Sequence, residues 1–437
     1  MTRHPPVHTA ARGPELAARV ASLRTRFDAV RARTRALAAP IGAEDAMVQS
    51  MDDASPAKWH LAHTTWFFER FALMAGSGCR AVDPQWDFLF NSYYESVGPM
   101  HARPRRGLLS RPTLAQVLDY RDVVDDRMRA WLDGPTPPAD LLDIVELGLQ
   151  HEQQHQELLL TDIKHAFWSN PLAPAYRADL PETPAIPETG TSGAGMRWIE
   201  RDEAIVRIGA APWPQAAAFA YDNESPRHRA LVTAHALASR PVSNREYRDF
   251  VDDGGYRTAA LWLSAGWDTV QRRQWTHPLY WDDDHAREFT LGGWRTLQPD
   301  APVCHLSHFE ADAFARWAGA RLPTEMEWEQ AATGLAVAGN FADDGRLHPH
   351  AGDGAGLRQM FGDVWEWTSS AYTAYPGFRP WPGSLGEYNG KFMCGQWVLR
   401  GGSCATPRTH MRASYRNFFP SDARWQFAGL RLARDPA

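Results

Sequence analysis

The clearest chemical signal in the sequence is a pair of histidines in the segment GLQHEQQHQELLL. His151 and His155 are four residues apart, so on a helix both imidazoles project from one face and can share a metal ion. Apolar residues on both sides of the segment predict that this face points into a helical core. A solvated stripe of His, Gln and Glu, ending in Glu157, is the alternative interpretation of the same spacing. A third ligand from elsewhere in the chain would favour the metal site.

Two further histidines compete for that third position, in the segment KWHLAHTTWFFE. His63 is predicted in mid-helix among aromatic residues, where an unpaired imidazole would be costly. His60 lies three residues earlier, and the spacing alone does not choose between the two. Three neutral imidazoles suit iron, zinc or copper and leave coordination positions open for a substrate and an oxidant.

Two neighbouring segments carry side chains that could act beside such a metal. Tyr93 and Tyr94 are adjacent in FNSYYESVG, and a phenol near an open metal site could donate a proton or an electron. Adjacent tyrosines in a loop also commonly pack one ring and expose the other. The cluster Arg103, Arg105 and Arg106 follows, and guanidinium groups pair bidentately with carboxylates, although a solvated loop would look the same.

The C-terminal segment SYRNFFPSDARWQF combines aromatic rings with amides. Core packing is the usual reason for such a composition. A surface that binds a quaternary ammonium group through cation–π contacts is the functional alternative. The residues concerned are Asn417, Phe418, Phe419, Trp425 and Gln426.

Periodicity divides the chain into a helical first half and an irregular second half. Apolar residues recur at three- and four-residue steps over 15–37, 55–74, 113–132 and 139–167, which predicts four long helices packed as a bundle. Ser55 is a predicted N-cap, with Pro56 at the first helical position. Five prolines and three glycines between 170 and 195 predict a linker or a strap over the surface. We therefore predict domains at 10–169 and 196–437, the second with mixed α and β structure.

Composition excludes several classes of function. The 437 residues are 44% hydrophobic and 22% charged, as in ordinary globular proteins. A net charge of −6 offers no electrostatic case for a nucleic acid or an anionic membrane as partner. No apolar run approaches the roughly 18 residues of a membrane span, and the first residues lack a secretory signal. We therefore expect a cytoplasmic protein.

Three motifs in the second half carry a family resemblance. They are RLPTEMEWE at 321–329, GDVWEWTSS at 362–370 and LRGGS at 399–403. In this order they resemble the formylglycine-generating-enzyme (C-type-lectin-like) domain, and the first half resembles a DinB-like four-helix bundle. Joined to a separate His and the H-x3-H-x-E segment, they resemble the ergothioneine-biosynthesis sulfoxide synthases of the EgtB type, with their selenoneine synthase relatives.

The resemblance implies an oxidoreductase with non-haem iron(II) as cofactor and O2 as co-substrate. Such an enzyme joins a thiol sulfur to C2 of the imidazole of hercynine (Nα-trimethylhistidine) and forms a sulfoxide. The implied sulfur donor is cysteine or γ-glutamylcysteine. The implied iron ligands are His63, His151 and His155.

The same resemblance implies roles for further residues. Gln154 matches the residue that contacts the substrate imidazole, and the Tyr93–Tyr94 pair matches the active-site tyrosines of one branch of the family. Other matched positions are Arg103 and Arg106 for the carboxylate of the donor, and Asn417, Phe418 and Phe419 for the trimethylammonium group.

Two other activities fit the same motifs. A selenoneine synthase would join a selenosugar to the same carbon of hercynine, and only its donor pocket would differ. A DinB-type thiol S-transferase would use the three histidines with zinc or another divalent metal. The arginine cluster favours an amino-acid donor over a sugar, because a selenosugar has no amino-acid carboxylate.

Overall fold

The computed structural model of the protein describes residues 13–182, 195–216, 218–387 and 389–436, which form two compact units. The helical unit contains the described residues up to Met47, with Pro56–Ser92 and Met100–His155. The mixed unit contains Val48–Ser55, Tyr93–Pro99 and the described residues from Gln156 onward. Each unit thus draws on separate stretches of the chain, and the domain limits predicted above stay predictions.

The helical unit is built from the helices that the periodicity predicts. The four long helical segments occur where expected, and the predicted bundle is confirmed. Its core is formed by apolar side chains at helical spacing, among them Leu23, Phe27, Val124, Met128, Leu142, Val145 and Leu149. The helices are α1 (Gly13–Ala38), α2 (Ala57–Phe67), α3 (Met74–Gly76), α4 (Trp86–Phe90), α5 (Leu114–Leu132) and α6 (Ala139–Ser169). Helix α6 passes from the helical unit into the mixed unit after His155.

Helix α2 differs from its prediction at both ends. Pro56 occupies the N-cap position, and the backbone N–H of Ser55 donates to Asp162 at 2.8 Å, so the predicted Ser55 cap is wrong. At its other end α2 continues as a π-helical segment, Phe68–Leu73, before α3 begins. The i to i+5 bonding of a π-helix holds more residues per turn than the 3.6 period assumes, so an apolar pattern alone does not reveal it.

The mixed unit combines short strands with short helices, which agrees with the mixed α and β structure predicted for the second half. Its sheets have the strand orders β1-β4-β11, β10-β7-β8-β9, β2-β3 and β5-β6, and β10 pairs in parallel with β7. The strands are β1 (Trp198–Arg201), β2 (Ala204–Ile208), β3 (His228–Val232), β4 (His235–Ala238), β5 (Arg287–Thr290), β6 (Gly293–Thr296), β7 (Trp365–Ala371), β8 (Gln396–Arg400), β9 (Asn417–Pro420), β10 (Ala428–Leu430) and β11 (Ala433–Arg434). The helices are α7 (Asn244–Asp252), α8 (Ser264–Arg273), α9 (His308–Trp317) and α10 (Glu325–Ala332). None of the described helices is long and apolar enough to cross a membrane.

The described first part of the predicted linker packs against other residues of the mixed unit, to which it belongs. Tyr176 and Leu180 are buried, and the backbone N–H of Arg177 donates to the carbonyl of Leu291 at 3.0 Å. The guanidinium of Arg295 donates to the carbonyl of Leu180 at 2.6 Å. The described part of this segment therefore makes buried contacts within the mixed unit, and residues 183–194 lie outside the described residues.

The three motifs behind the family resemblance hydrogen-bond to one another inside the mixed unit. Trp328, from the first motif, donates its Nε1–H to Glu366 of the second at 2.7 Å. Arg400, from the third motif, pairs with Glu325 and Glu329 of the first at 2.8 and 2.9 Å. All five side chains are buried. The motifs identify this fold because together they form its buried polar core.

Buried charges connect α1, α5 and α6 in the helical unit. Arg31 pairs with Asp125 at 2.6 Å and with Glu152 at 2.8 Å, and Arg121 also pairs with Glu152. The hydroxyl of Thr34 donates to the second oxygen of Glu152 at 2.6 Å. Burial raises the pKa of Glu152, but the two arginines outweigh that effect and bring it to about 2. The carboxylate therefore stays charged in the interior, and its partners set the rotation of α6.

We expect Glu152→Gln to lower the free energy of unfolding of the helical unit by about 3–5 kcal/mol, because it leaves buried arginine charge uncompensated. Urea-induced loss of helical circular dichroism at pH 7 measures this change. Asp122→Asn is the control, since Asp122 pairs with Arg35 at the surface and such a pair contributes about 0–1 kcal/mol. Equal urea midpoints for the two variants would contradict the role assigned to Glu152.

Candidate metal centre

Helices α2 and α6 bring three buried histidines together in the helical unit. His63 comes from α2, and His151 and His155 come from α6. Their potential ligand atoms lie within 4.8 Å of one another, and the Nε2 atoms of His63 and His151 are 3.2 Å apart. His63, rather than His60, completes the group. Across the described ranges, no second set of three histidine, cysteine or carboxylate side chains is close enough to share an ion.

Hydrogen bonds outside the cluster orient two of these rings. The Nδ1 atom of His63 is 2.6 Å from the carbonyl oxygen of Phe90. Because a carbonyl only accepts, Nδ1 carries the proton and the Nε2 lone pair of His63 remains for a metal. The Nδ1 atom of His155 lies 2.8 Å from the Nδ1 atom of His60. The rings of His63 and His155 are thus both held through their Nδ1 atoms.

Burial keeps the three imidazoles in the form that binds metals. Loss of water lowers the pKa of all three, and the pKa of His151 falls to about 3. For His63 and His155, the neighbouring imidazoles and the guanidinium of Arg106 lower the pKa further. Neutral imidazole is the metal-binding state of histidine, so the site is prepared for an ion at neutral pH.

The donor set consists of nitrogens alone, because the nearby carboxylates are engaged elsewhere. Glu152 pairs with the buried arginines. In the mixed unit, Glu157 accepts hydrogen bonds from Trp365 at 2.8 Å, Ser403 at 2.5 Å and Thr406 at 2.7 Å. Three neutral nitrogen donors fit a divalent first-row metal such as iron, zinc or copper and leave positions open for further ligands.

An aromatic ring separates the histidine cluster from a buried cation. Trp59 stacks on the imidazole of His63 with a centroid distance of 4.5 Å and an interplanar angle of 11°. The guanidinium carbon of Arg106 lies 3.4 Å from the centroid of the same indole, and Arg106 also donates to the hydroxyl of Ser92 at 2.9 Å. Arg106 is buried and Arg103 is partly exposed in one 3-10 helix, Arg103–Leu108. The two predicted donor-binding arginines therefore have different surroundings.

The two predicted tyrosines belong to the mixed unit and differ in burial. Tyr94 is only 2% exposed, and Tyr93 is partly buried with a left-handed backbone φ of 68°. Lys391 donates to the backbone carbonyl of Tyr93, and the ring of Phe392 lies 4.9 Å from the ring of Tyr93. The pair therefore has one buried ring and one partly exposed ring.

The predicted ammonium-binding residues lie on the edge strand β9 of the four-stranded sheet. Phe418 stacks on Tyr372 with centroids 4.0 Å apart, and its ring is 6.0 Å from Phe392. Phe392 thus links Tyr93 and Phe418 in one aromatic cluster of the mixed unit. The ring of Phe419 instead packs against Trp425, with the ring centroids 5.8 Å apart. The side-chain oxygen of Asn417 accepts a hydrogen bond from the backbone N–H of Phe418 at 2.9 Å.

Local sequence patterns predict some of the remaining contacts at the cluster but not all of them. Trp59 precedes His63 by four residues, which predicts a shared helix face. Gln154, next to His155 on α6, is partly buried in the helical unit. No sequence signal connects His60 with His155, because 95 residues separate them.

Comparison with known proteins agrees with both halves of this architecture. The DinB superfamily matches residues 26–159, and the sulfatase-modifying factor enzyme 1-like domain matches residues 199–355 and 349–436. The chain is 33% identical to the hercynine oxygenase of Mycolicibacterium thermoresistibile over 413 residues, which cover 87% of each protein. It is 32% identical to the hercynine oxygenase of Mycobacterium tuberculosis over 87% of this chain and 91% of that protein.

A more distant relative covers half of the chain. Ergothioneine biosynthesis protein 1 of Schizosaccharomyces pombe is 28% identical over 50% of this chain and 28% of that protein. A DinB-like helical bundle followed by a domain of the formylglycine-generating-enzyme type is the class of protein to which this chain belongs, and the predicted fold class is confirmed. Within that class, the chain belongs to the hercynine oxygenase family.

We expect His151→Ala to lose high-affinity binding of a divalent metal, because it removes one of three converging nitrogens. Anaerobic titration of the purified protein with Fe(II), read by competition with a chromophoric chelator, measures the affinity. His277→Ala is the control, since His277 lies in the mixed unit outside the cluster. Unchanged affinity in His151→Ala would disprove its assignment as a ligand.

Proposed function

We propose that the protein is a non-haem iron(II), O2-dependent sulfoxide synthase of ergothioneine biosynthesis. It would join the sulfur of cysteine or γ-glutamylcysteine to C2 of the imidazole of hercynine. The observation that carries this proposal is the buried cluster of three neutral histidines in a chain that is 33% identical to a hercynine oxygenase over 87% of its length.

The proposed reaction balances with O2 as the sole oxidant. The thiol loses its S–H bond and the imidazole loses its C2–H bond as the C–S bond forms. One oxygen atom of O2 ends on sulfur as the sulfoxide, and the other leaves as water with the two hydrogens. Carbon–sulfur bond formation and sulfur oxidation each release two electrons, which together account for the four-electron reduction of O2.

We assign His63, His151 and His155 as the residues that hold the iron. When bound there, iron(II) would supply positions at which a thiolate, an imidazole and O2 can meet, which makes the reaction intramolecular. The protein's part is to keep three ligands neutral and oriented. Burial of the imidazoles, the Phe90 carbonyl bond and the stack with Trp59 support that role.

We assign proton donation during the reaction to a phenol of the tyrosine pair. Tyr94 is the first candidate, because its burial shields it from proton exchange with bulk water. Tyr93 is the second candidate, and its contact with Phe392 ties it to the aromatic cluster that contains Phe418. Both assignments follow the family resemblance of the segment FNSYYESVG.

Recognition of the two substrates is proposed to use separate groups. Arg103 and Arg106 would bind the carboxylate of the sulfur donor, since guanidinium forks suit that geometry. Gln154 would contact the imidazole of hercynine. Asn417, Phe418 and Phe419 would face the trimethylammonium group, and the stack of Phe418 on Tyr372 supports an aromatic surface there.

A competition assay tests the activity and the donor together. Protein loaded with iron(II) meets hercynine, O2, cysteine, γ-glutamylcysteine and a selenosugar, and mass spectrometry identifies the products. We expect a sulfoxide adduct of hercynine and one of the two thiols. A product with the isotope pattern of selenium would reassign the enzyme to selenoneine biosynthesis. Thiol transfer without O2 consumption would replace the oxygenase with an S-transferase.

We expect Tyr94→Phe to bind iron with unchanged affinity but to form the C–S bond at least tenfold more slowly, because it removes only the phenol proton donor. The measurements are the iron(II) affinity, the rate of adduct formation, and the ratio of hercynine adduct to oxidised donor per O2 consumed. Tyr93→Phe is the matched control in the same segment. An unchanged ratio in Tyr94→Phe combined with a changed ratio in Tyr93→Phe would move the role to Tyr93.

A further inference from the structure

One more histidine of α2 lies against the cluster without belonging to the group of converging ligand atoms. His60 is only 2% exposed, and its Nδ1 atom is 2.8 Å from the Nδ1 atom of His155. The two ring centroids are 5.1 Å apart. At this distance between two nitrogens, one must carry a proton and the other must offer a lone pair.

We infer that His60 is a positioning residue that accepts the Nδ1 proton of His155 and thereby leaves the Nε2 lone pair of His155 for the metal. The inference rests on the proposed metal centre and adds to it a residue outside the ligand set. His60 would act through His155 and would touch neither the metal nor the substrates.

The direction of this hydrogen bond follows from the chemistry of imidazole. A neutral imidazole carries one N–H, so a His155 that accepted at Nδ1 would hold its proton at Nε2 and could not bind a metal there. Only the opposite direction, with His155 donating and His60 protonated at its own Nε2, is compatible with His155 as an Nε2 ligand. Metal-bound histidines generally donate their second N–H in this way.

This arrangement differs from the one at His63. The carbonyl of Phe90 can only accept, so it imposes a single tautomer on His63 whether or not a metal is bound. The imidazole of His60 can either accept or donate, so the tautomer of His155 depends on the tautomer of His60. The metal affinity of the site should therefore respond to the acceptor at position 60.

Two substitutions at position 60 distinguish the effect of losing the hydrogen-bond acceptor from the effect of changing the side-chain volume. In His60→Asn, the Oδ1 atom stands as many bonds from the backbone as the Nδ1 atom of histidine and can accept the same proton. In His60→Leu, a similarly branched side chain has no acceptor. His60→Phe is a second acceptor-free variant that retains a ring, should the leucine variant fail to fold.

We expect the acceptor-free variants to bind Zn(II) about 10- to 100-fold more weakly than the parent chain, which is the usual effect of losing such a partner. We expect His60→Asn to stay within about threefold of the parent, as the retained hydrogen bond predicts. The measurement is a Zn(II) titration of the full-length protein against a chromophoric chelator. Melting temperatures of the metal-free variants establish that each one folds.

Each outcome separates this inference from the proposal on which it rests. Equal Zn(II) affinity in the parent chain and in the folded acceptor-free variants would overturn the role of His60 and leave the metal centre intact. Equal weakening in His60→Asn and the acceptor-free variants would assign His60 to packing and also overturn the inference. Failure of the parent chain to bind Zn(II) or Fe(II) would remove the metal centre itself.

Discussion

The buried pairing of Glu152 with Arg31 and Arg121 is the constraint on which the site in the helical unit depends. Consecutive residues of a helix are rotated by about 100°, so a partner that holds Glu152 on one side of α6 determines where His151 points. Buried charges need well-placed partners, and any other rotation of α6 would deprive both Arg31 and Arg121 of the Glu152 carboxylate. The ion pairs therefore set the direction of the two α6 imidazoles without touching a metal.

The histidine cluster itself depends on burial and on proton placement. Removing water from His63, His151 and His155 lowers the pKa of each and keeps the lone pairs that a metal needs. The carbonyl of Phe90 then decides which nitrogen of His63 carries the proton, and we infer the same role for His60 beside His155. Residues that never contact an ion can in this way control whether the ion binds. The inferred role of His60, which lies beside the three histidines of the cluster, is of this kind.

The mixed unit shows a different relation between family motifs and chemistry. The motifs that make the resemblance specific hydrogen-bond to one another through Trp328, Glu366 and Arg400. These contacts form part of the buried polar core of the mixed unit. Ser403 and Trp365, from the same motifs, donate to Glu157 two residues beyond His155. Within the mixed unit, the residues proposed to bind substrate lie elsewhere, on β9. Motif similarity therefore supports the fold more directly than it supports any substrate contact.

The sequence by itself determined the features that depend on local periodicity. The four long helices and the four-residue spacing of His151 and His155 follow from patterns within a few residues of one another. The family resemblance assigned His63 to the cluster, whereas spacing alone left His60 open. Only the tertiary structure decided that His60 pairs with His155, that Ser55 does not cap α2, and that Glu152 meets Arg31. These contacts join residues that are far apart in the chain, and their geometry is set by how helices pack and by which buried polar groups need a partner.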